Sequence, residues 1–174
     1  TILARSHEHG LKMAIYCADA EEARYWAEEG ADMVNPSSDS GLLLTAVQTL
    51  VSARTDPNML AAQNQWKATR VPWESSEGFL FGPVEALGID PAIDSWPLNT
   101  PDLSAFLTTN PNATQSQIDS ASDDVRGFHA IEYLLFGDGV STNTKPASAL
   151  TTAQANYLVA LVQSLKARTK ELAD

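Results

Sequence analysis

The most apolar stretch of the chain runs from Gly127 to Gly137, and only His129 and Glu132 interrupt it with polar side chains. Apolar residues fall on every side of a helix drawn through this stretch, which indicates a helix buried in a core. Ser122, followed by two aspartates, suits the helix N-terminus, and Gly137 suits the left-handed residue that ends a helix. Because a glycine inside a helix costs about 1 kcal/mol relative to alanine, something should pack closely against Gly127 or bind there, one turn from His129.

Three further stretches place apolar residues at helical spacing: residues 41–54, 57–70 and 149–173. Val71-Pro72 interrupts the second of them, so a separate short helix is predicted over residues 73–81. Together with the buried helix, these stretches give four long helices. A helix bundle is the natural way to bury their apolar faces.

Residues 82–116 are rich in Pro, Gly, Asp and Asn, which predicts a long loop. Trp96 and its apolar neighbours favour a loop packed over the helices, of the kind that often shapes a site. Helical turns are expected at residues 102–107 and 114–120. We expect three tryptophans to lie mainly in the core, namely Trp66, Trp73 and Trp96.

Residues 10–40 have a different period from the rest of the chain. Short apolar runs at residues 11–17 and 31–35 flank a helical pattern at residues 19–29. This order predicts a strand, a helix and a second strand that is parallel to the first. Two parallel strands cannot cover their own faces.

The motifs in this segment resemble the last strand-helix-strand segment of pyruvate-dependent aldolases related to the citrate lyase beta subunit. They are Gly10-Leu11-Lys12-Met13-Ala14-Ile15, Glu22-Ala23-Arg24, Glu29-Gly30-Ala31-Asp32 and Ser38-Asp39-Ser40-Gly41-Leu42-Leu43. Those enzymes are TIM barrels whose catalytic and metal-binding residues lie mostly in earlier segments. The resemblance therefore implies no catalytic role for residues 1–42.

The charge balance narrows the classes of partner. The 174 residues include 22 acidic and 11 basic side chains, a formal net charge of −11. Such a field repels nucleic acid and anionic membranes and attracts cations. No apolar run is long enough to span a membrane, and no signal-peptide pattern stands at the start. Cys17 is the single cysteine, which excludes an internal disulfide.

His129 and Glu132 lie three positions apart, so they project from the same face of the predicted helix and can contact the same ligand. Burying either group without a partner would cost roughly several kcal/mol. Each should therefore pair with the other, with a metal or with further polar groups. By spacing alone, a structural hydrogen bond between the two is the simpler interpretation. Arg70 can pair with Glu74 on its own helix or lie in the site as the partner of an anion.

Four motifs, in matching order and spacing, resemble the imelysin family. They are Trp66-Lys67-Ala68-Thr69-Arg70-Val71-Pro72-Trp73-Glu74, Ser76-Glu77-Gly78-Phe79-Leu80-Phe81-Gly82-Pro83, Ile93-Asp94-Ser95-Trp96-Pro97 and Gly127-Phe128-His129-Ala130-Ile131-Glu132-Tyr133-Leu134-Leu135-Phe136-Gly137. The likeness covers residues 43–174, as the first of the family's two helical lobes. We therefore expect a mainly α fold, with a helical-bundle lobe at residues 43–174 and a strand-helix-strand segment at residues 1–42.

The resemblance implies a protein of the periplasm or outer cell envelope that is connected with iron uptake. Its expected partners are a metal ion and other envelope components of iron uptake. The family's signature histidine and glutamate fall on His129 and Glu132, and its acid in the second helix region falls on Glu77. Asp94, in the Asp-Ser-Trp-Pro loop, is a candidate fourth metal ligand. The family is also classed among the metallopeptidases.

One histidine with several carboxylates suits iron, manganese or zinc, and the absence of a soft ligand argues against copper(I). Zinc peptidases commonly present two histidines four residues apart with a glutamate base between them, whereas this motif has one histidine. We therefore expect binding of a divalent transition metal, iron first and zinc second, rather than hydrolysis. The alternatives are a metallopeptidase that uses the same residues and a non-metal interaction module in which His129 and Glu132 pair only with each other.

Overall fold

In the computed structural model, residues 2–16, 20–35, 38–76, 82–137 and 145–171 are described. Cys17 and Glu77 lie outside these ranges. The chain divides into two compact units, Thr1–Leu42 and Leu43–Asp174. The predicted mainly α fold is confirmed, with one pair of very short strands in the described part of the first unit.

The first unit contains the predicted order of strand, helix and strand. Its elements are α1 (Ile2–Glu8), β1 (Ala14–Tyr16), α2 (Ala20–Glu28) and β2 (Met33–Asn35). The strands pair in parallel, with Ala14 opposite Met33 and Tyr16 opposite Asn35. Asp32 precedes β2 and accepts a hydrogen bond of 2.9 Å from the backbone N–H of Met13. The likeness of this unit to an aldolase segment stays a prediction.

The second unit is built from helices. They are α3 (Asp39–Ser52, which begins before the unit boundary), α4 (Asp56–Ser76), α5 (Pro83–Ala86), α6 (Ile89–Asp94), α7 (Thr100–Thr109), α8 (Gln115–Asp119), α9 (Gly127–Phe136) and α10 (Thr152–Glu171). Single turns of 3-10 helix lie at Asp123–Val125 and Ala147–Ala149.

Helix α9 lies at the centre of this bundle and packs against α4, α6 and α10. Most of its apolar side chains are buried, including Phe128, Ile131, Leu134 and Leu135. The ring of Trp66 on α4 meets Phe128 edge-on, with 6.4 Å between the ring centroids. The prediction of a buried central helix is thus confirmed. Burial of its apolar faces is what holds the bundle around it.

The predicted break at Val71-Pro72 is wrong, because α4 continues through Pro72 to Ser76. Proline lacks a backbone donor and normally ends a helix. Here the next residue, Trp73, buries its ring, and its indole N–H donates to Asp94. These tertiary contacts outweigh the local cost of the proline. Residues 77–81 of the separate helix that the pattern predicted lie outside the described residues.

The segment before the central helix also differs from its prediction. Gly127 begins α9 with a φ of +78° rather than lying inside the helix, and Asp123–Val125 forms a separate 3-10 turn. A left-handed residue cannot continue an α-helix, so the two aspartates belong to the turn. Asp124 accepts a hydrogen bond from the side chain of Asn99 and does not lie in the first turn of α9.

The long loop predicted for residues 82–116 is wrong where α5 and α6 lie within it, whereas the helical turns expected at residues 102–107 and 114–120 are present as α7 and α8. Three of the prolines that suggested a loop occupy early helical positions, where a missing N–H costs little, and they are Pro83, Pro91 and Pro101. Trp66 and Trp73 are buried as expected, but the side chain of Trp96 is 72% exposed. Trp96 therefore does not pack into the core.

Candidate functional site

The N-terminus of α9 touches the end of α6 through Gly127. A β-carbon at Gly127 would lie 2.2 Å from the carbonyl oxygen of Ile93 and 3.3 Å from the backbone nitrogen of Asp94. Only a residue without a side chain permits this approach, and the φ of +78° also favours glycine. The expectation of close packing at Gly127 is confirmed. The contact brings the last residue of α6, Asp94, beside the first turn of α9.

The imidazole of His129 lies between two carboxylates. Its Nε2 atom is 3.1 Å from Oδ1 of Asp94, and its Nδ1 atom is 3.1 Å from Oε2 of Glu132. The side chains of Asp94 and His129 are 7% and 17% exposed, whereas that of Glu132 is 40% exposed. We refer to Asp94, His129 and Glu132 as the His129 cluster. One side of the histidine thus faces a buried acid and the other side a solvated acid.

Two donors from α4 hold the buried acid of this cluster. Arg70 donates from Nη1 to Oδ1 of Asp94, and the indole N–H of Trp73 donates to Oδ2 at 2.7 Å. Arg70 also pairs through Nε with Oε1 of Glu74 at 2.5 Å, one turn along the same helix. The guanidinium lies over the ring of Phe128, with 5.1 Å to its centroid. Both oxygens of Asp94 therefore accept hydrogen bonds from α4, and Oδ1 also contacts His129.

These contacts set the charge states of the cluster. Burial on its own would raise the pKa of Asp94, but hydrogen bonds from His129, Arg70 and Trp73 outweigh it and lower the pKa to about 2. The hydrogen bond to Asp94 raises the pKa of His129 against the opposing effect of burial, and the contact with Glu132 adds to the increase. Asp94 is therefore an anion at neutral pH, and a protonated His129 is stabilised.

Trp96 covers the histidine from outside. Its ring centroid lies 4.6 Å from that of His129, with the two planes inclined at 56°. Trp96 therefore contacts His129 from the solvent side and is not part of the core, because most of it is exposed.

The structure brings together three of the four predicted metal ligands, His129, Glu132 and Asp94. The fourth, Glu77, lies outside the described residues. In the ranges that are described, no three His, Cys, Asp or Glu side chains are grouped so that they could hold a metal ion. Nδ1 of His129 and the carboxylate of Glu132 form a two-ligand set that suits a transition metal. The described residues therefore supply no complete set of metal ligands.

Sequence reasoning missed the role of α4 in this cluster. Arg70 was expected to pair with Glu74 or with an anion in the site, and it contacts both Glu74 and Asp94. Trp73 was expected mainly in the core, where its ring lies, and its N–H is in addition bonded to Asp94. The spacing of Arg70 and Trp73, three residues apart on one helical face, is the signal that could have indicated a shared acceptor.

The sequence model of the imelysin family matches residues 37–174 of the chain. This chain belongs to the imelysin family. The family resemblance expected from the four motifs is thereby confirmed. The model also carries the name of a peptidase class.

Known relatives agree with this assignment. Iron-regulated protein A of Synechococcus elongatus is 36% identical over 103 residues, which are 59% of this chain and 27% of that protein. A crystal structure described as an iron-regulated protein A precursor from Parabacteroides distasonis is 28% identical with a TM-score of 0.64, covering 77% of this chain and 38% of its own. An imelysin-like protein of Psychrobacter arcticum shares the fold at 23% identity and a TM-score of 0.64, with coverages of 77% and 41%. The chain therefore spans less than half the length of each of these imelysin relatives.

None of the helices in the described residues combines the length and apolarity needed to cross a bilayer.

Proposed function

We propose that this chain is a metal-binding protein of the bacterial cell envelope that serves iron uptake, and that His129 and Glu132 supply metal ligands. The names of its relatives support the link to iron, since two of them are called iron-regulated protein A. One of the two is described as a precursor, which supports export to the periplasm or outer envelope. The net charge of −11 favours cations as ligands.

The observation that carries this proposal is the position of His129 between Asp94 and Glu132. Histidines that bind metals usually direct one ring nitrogen to the metal and the other to a carboxylate that orients the ring. Here Nε2 faces the buried carboxylate, and Nδ1 faces the half-exposed one. Glu132 and Nδ1 can then bind one cation together. Glu77 is the proposed third ligand.

Binding is a better supported function than peptide hydrolysis. A catalytic zinc usually has three protein ligands and a bound water, and hydrolysis also needs a general base. Both described carboxylates of the cluster contact the same imidazole, so neither is placed as an independent base. One imidazole together with carboxylates can bind iron, manganese or zinc. The names of the relatives favour iron among these three metals.

The test is calorimetric titration of the purified chain with iron(II) under anaerobic conditions, and with manganese(II) and zinc(II). We expect one binding event that His129→Ala abolishes and Glu132→Gln weakens. Asp56→Asn is a matched control, because Asp56 is a carboxylate at the opposite end of α4 that accepts a hydrogen bond from the backbone of Ala147. Wild-type protein that binds none of the three metals, or binding that survives in His129→Ala, would contradict the proposal.

A zinc-dependent release of amino acids from a peptide mixture, lost in His129→Ala, would favour the peptidase alternative instead. If no metal binds while His129→Ala lowers only thermal stability, the His129 cluster is structural, as in the interaction-module alternative, with Asp94 as a second partner of His129.

A further inference from the structure

A short segment between α6 and α7 carries Trp96 across His129. Asp94 ends α6 and Asn99 caps α7, so residues 95–98 join two anchored points. We propose that this segment, which we call the Trp96 strap, is a cover that limits the access of solvent and ligands to His129 and that opens at its Asn99 end. The inference goes beyond metal binding, because such a cover acts on any ligand that approaches His129.

The first step concerns what surrounds the imidazole. Asp94 lies 3.1 Å from Nε2 of His129 and Glu132 lies 3.1 Å from Nδ1, so both nitrogen edges of the ring are occupied. The ring of Trp96 lies beside the imidazole, with 4.6 Å between the centroids and 56° between the planes. The side chain of His129 is 17% exposed, whereas Trp96 is 72% exposed. Trp96 therefore stands between His129 and the solvent.

The second step concerns the end of the strap at α6. The carboxylate of Asp94 is 7% exposed and accepts hydrogen bonds from Arg70 and Trp73. The preceding residue, Ile93, is completely buried. Moving this end would leave a buried carboxylate without its donors, and that costs more than breaking hydrogen bonds that water can replace. The α6 end of the strap is therefore the fixed end.

The third step concerns the end of the strap at α7. The side chain of Asn99 donates from Nδ2 to Asp102 at 2.8 Å and to Asp124 at 3.0 Å, and its backbone N–H donates to the carbonyl of Asp124 at 2.8 Å. Leu98 packs against the core but is only half-buried. The side-chain bonds of Asn99 are exposed or half-buried, so water can replace them when the end is released. The strap should therefore open here, by a local transition that leaves the bundle folded.

The experiment measures how fast diethyl pyrocarbonate modifies His129 in metal-free protein, at a pH above the titration of the imidazole. Mass spectrometry of peptides follows each histidine separately, and His7 and His9 in the first unit are internal standards. Trp96→Ala removes the cover, so we expect it to give the fastest modification of His129. Trp96→Phe keeps an aromatic ring in the strap and should return the rate most of the way to that of the wild type.

Asn99→Ala tests the opening of the strap, because it removes the side-chain bonds of the weaker end and none of the contacts of His129. We expect the modification of His129 to become roughly 2- to 10-fold faster, the factor by which the loss of one hydrogen bond shifts a local opening equilibrium. Asp124→Ala removes the same bond from the side of the acceptor and should act in the same direction.

Asn156→Ala is the matched control. Asn156 joins α10 to a different loop, through bonds to Pro111 and Asn112, so its loss should leave the modification of His129 unchanged. A second readout is the chemical shift of the carbon-bound ring protons of His129, which the nearby indole of Trp96 displaces. In Asn99→Ala this shift should move towards its value in Trp96→Ala. Far-UV circular dichroism verifies that each variant is folded.

Modification of His129 at the wild-type rate in Trp96→Ala would overturn the role of Trp96 as a cover. A rate and a chemical shift that are unchanged in both Asn99→Ala and Asp124→Ala would overturn the opening at the α7 end. Neither readout uses a metal, so an absence of metal binding in the calorimetric titration would refute the proposed function and leave the inference about the strap standing.

Discussion

Replacing Gly127 by alanine should damage both the bundle and the His129 cluster. The new β-carbon would lie 2.2 Å from the carbonyl oxygen and 2.7 Å from the carbonyl carbon of Ile93. Backbone atoms cannot turn aside as a side chain can, so α6 and α9 must move apart. Since Asp94 follows Ile93, its contact with His129 should lengthen at the same time.

Two costs add in this variant. A left-handed conformation costs an L-residue roughly 1–2 kcal/mol relative to glycine, and the φ of Gly127 is +78°. Forcing an extra carbon into a packed contact typically costs about 1–3 kcal/mol more. We therefore expect Gly127→Ala to lower the free energy of unfolding by about 2–5 kcal/mol. That is a large part of the total of about 5–15 kcal/mol that domains usually have.

Gly88→Ala is the matched control for Gly127→Ala. Gly88 has a φ of +61°, but nothing lies within 4 Å of its would-be β-carbon, so only the conformational cost should appear. Urea unfolding followed by circular dichroism measures both variants, and the difference between them isolates the close contact with Ile93. If Gly127→Ala is no less stable than Gly88→Ala, the packing of α9 on α6 does not depend on this glycine, and our explanation of the motif is wrong.

Three further predictions concern single side chains. Because the pKa of Asp94 falls to about 2 from an ordinary value of 3.8, its stabilising contribution, about 2 kcal/mol, should be lost as the pH falls from about 4 to 2. Because the pKa of His129 is raised, protonated His129 stabilises the folded state below pH ~6.5, and this stabilisation is lost as the pH rises above that value. Urea unfolding across pH should show both losses, and an equally steep profile in Asp94→Asn would contradict them. Tyr157→Phe should cost about 1–3 kcal/mol, because its buried hydroxyl donates to the carbonyl of Val125, and an unchanged urea midpoint would refute this. Iron(II) should quench part of the tryptophan fluorescence through Trp96, whose centroid lies 4.6 Å from that of His129, and part through Trp73, whose N–H is bonded to Asp94. Quenching of the same size in Trp96→Phe as in the wild type would place the metal away from Trp96.

The bundle helices were predictable because their signals are local. Apolar spacing located α3, α4, α9 and α10 to within a few residues, except that α4 continues past the proline at which it was expected to end. The continuation depends on Trp73, whose ring is buried and whose N–H reaches an acid 21 positions later in the chain. No pattern within a short window reports such a contact.

The pairing of His129 with Glu132 was likewise predictable, since residues three apart on a helix face each other. Asp94 was selected as a candidate only through the family resemblance. Arg70 was expected beside Glu74 or an anion in the site, without Asp94 being named as its partner, and Trp73 was expected mainly in the core. Their meeting requires α4 and α6 to cross beside α9, which spacing along the chain does not specify.

By itself the sequence determined the mainly α architecture, the buried central helix and the chemistry available in its G-x-H-x-x-E motif, because periodicity and residue type act over one or two turns. The tertiary structure alone decided that Gly127 begins α9 against Ile93 and that Asp94 meets the Nε2 side of His129. It also decided that Arg70 and Trp73 hold that acid in place. These features depend on how separate helices approach one another, and packing rather than local propensity sets that approach.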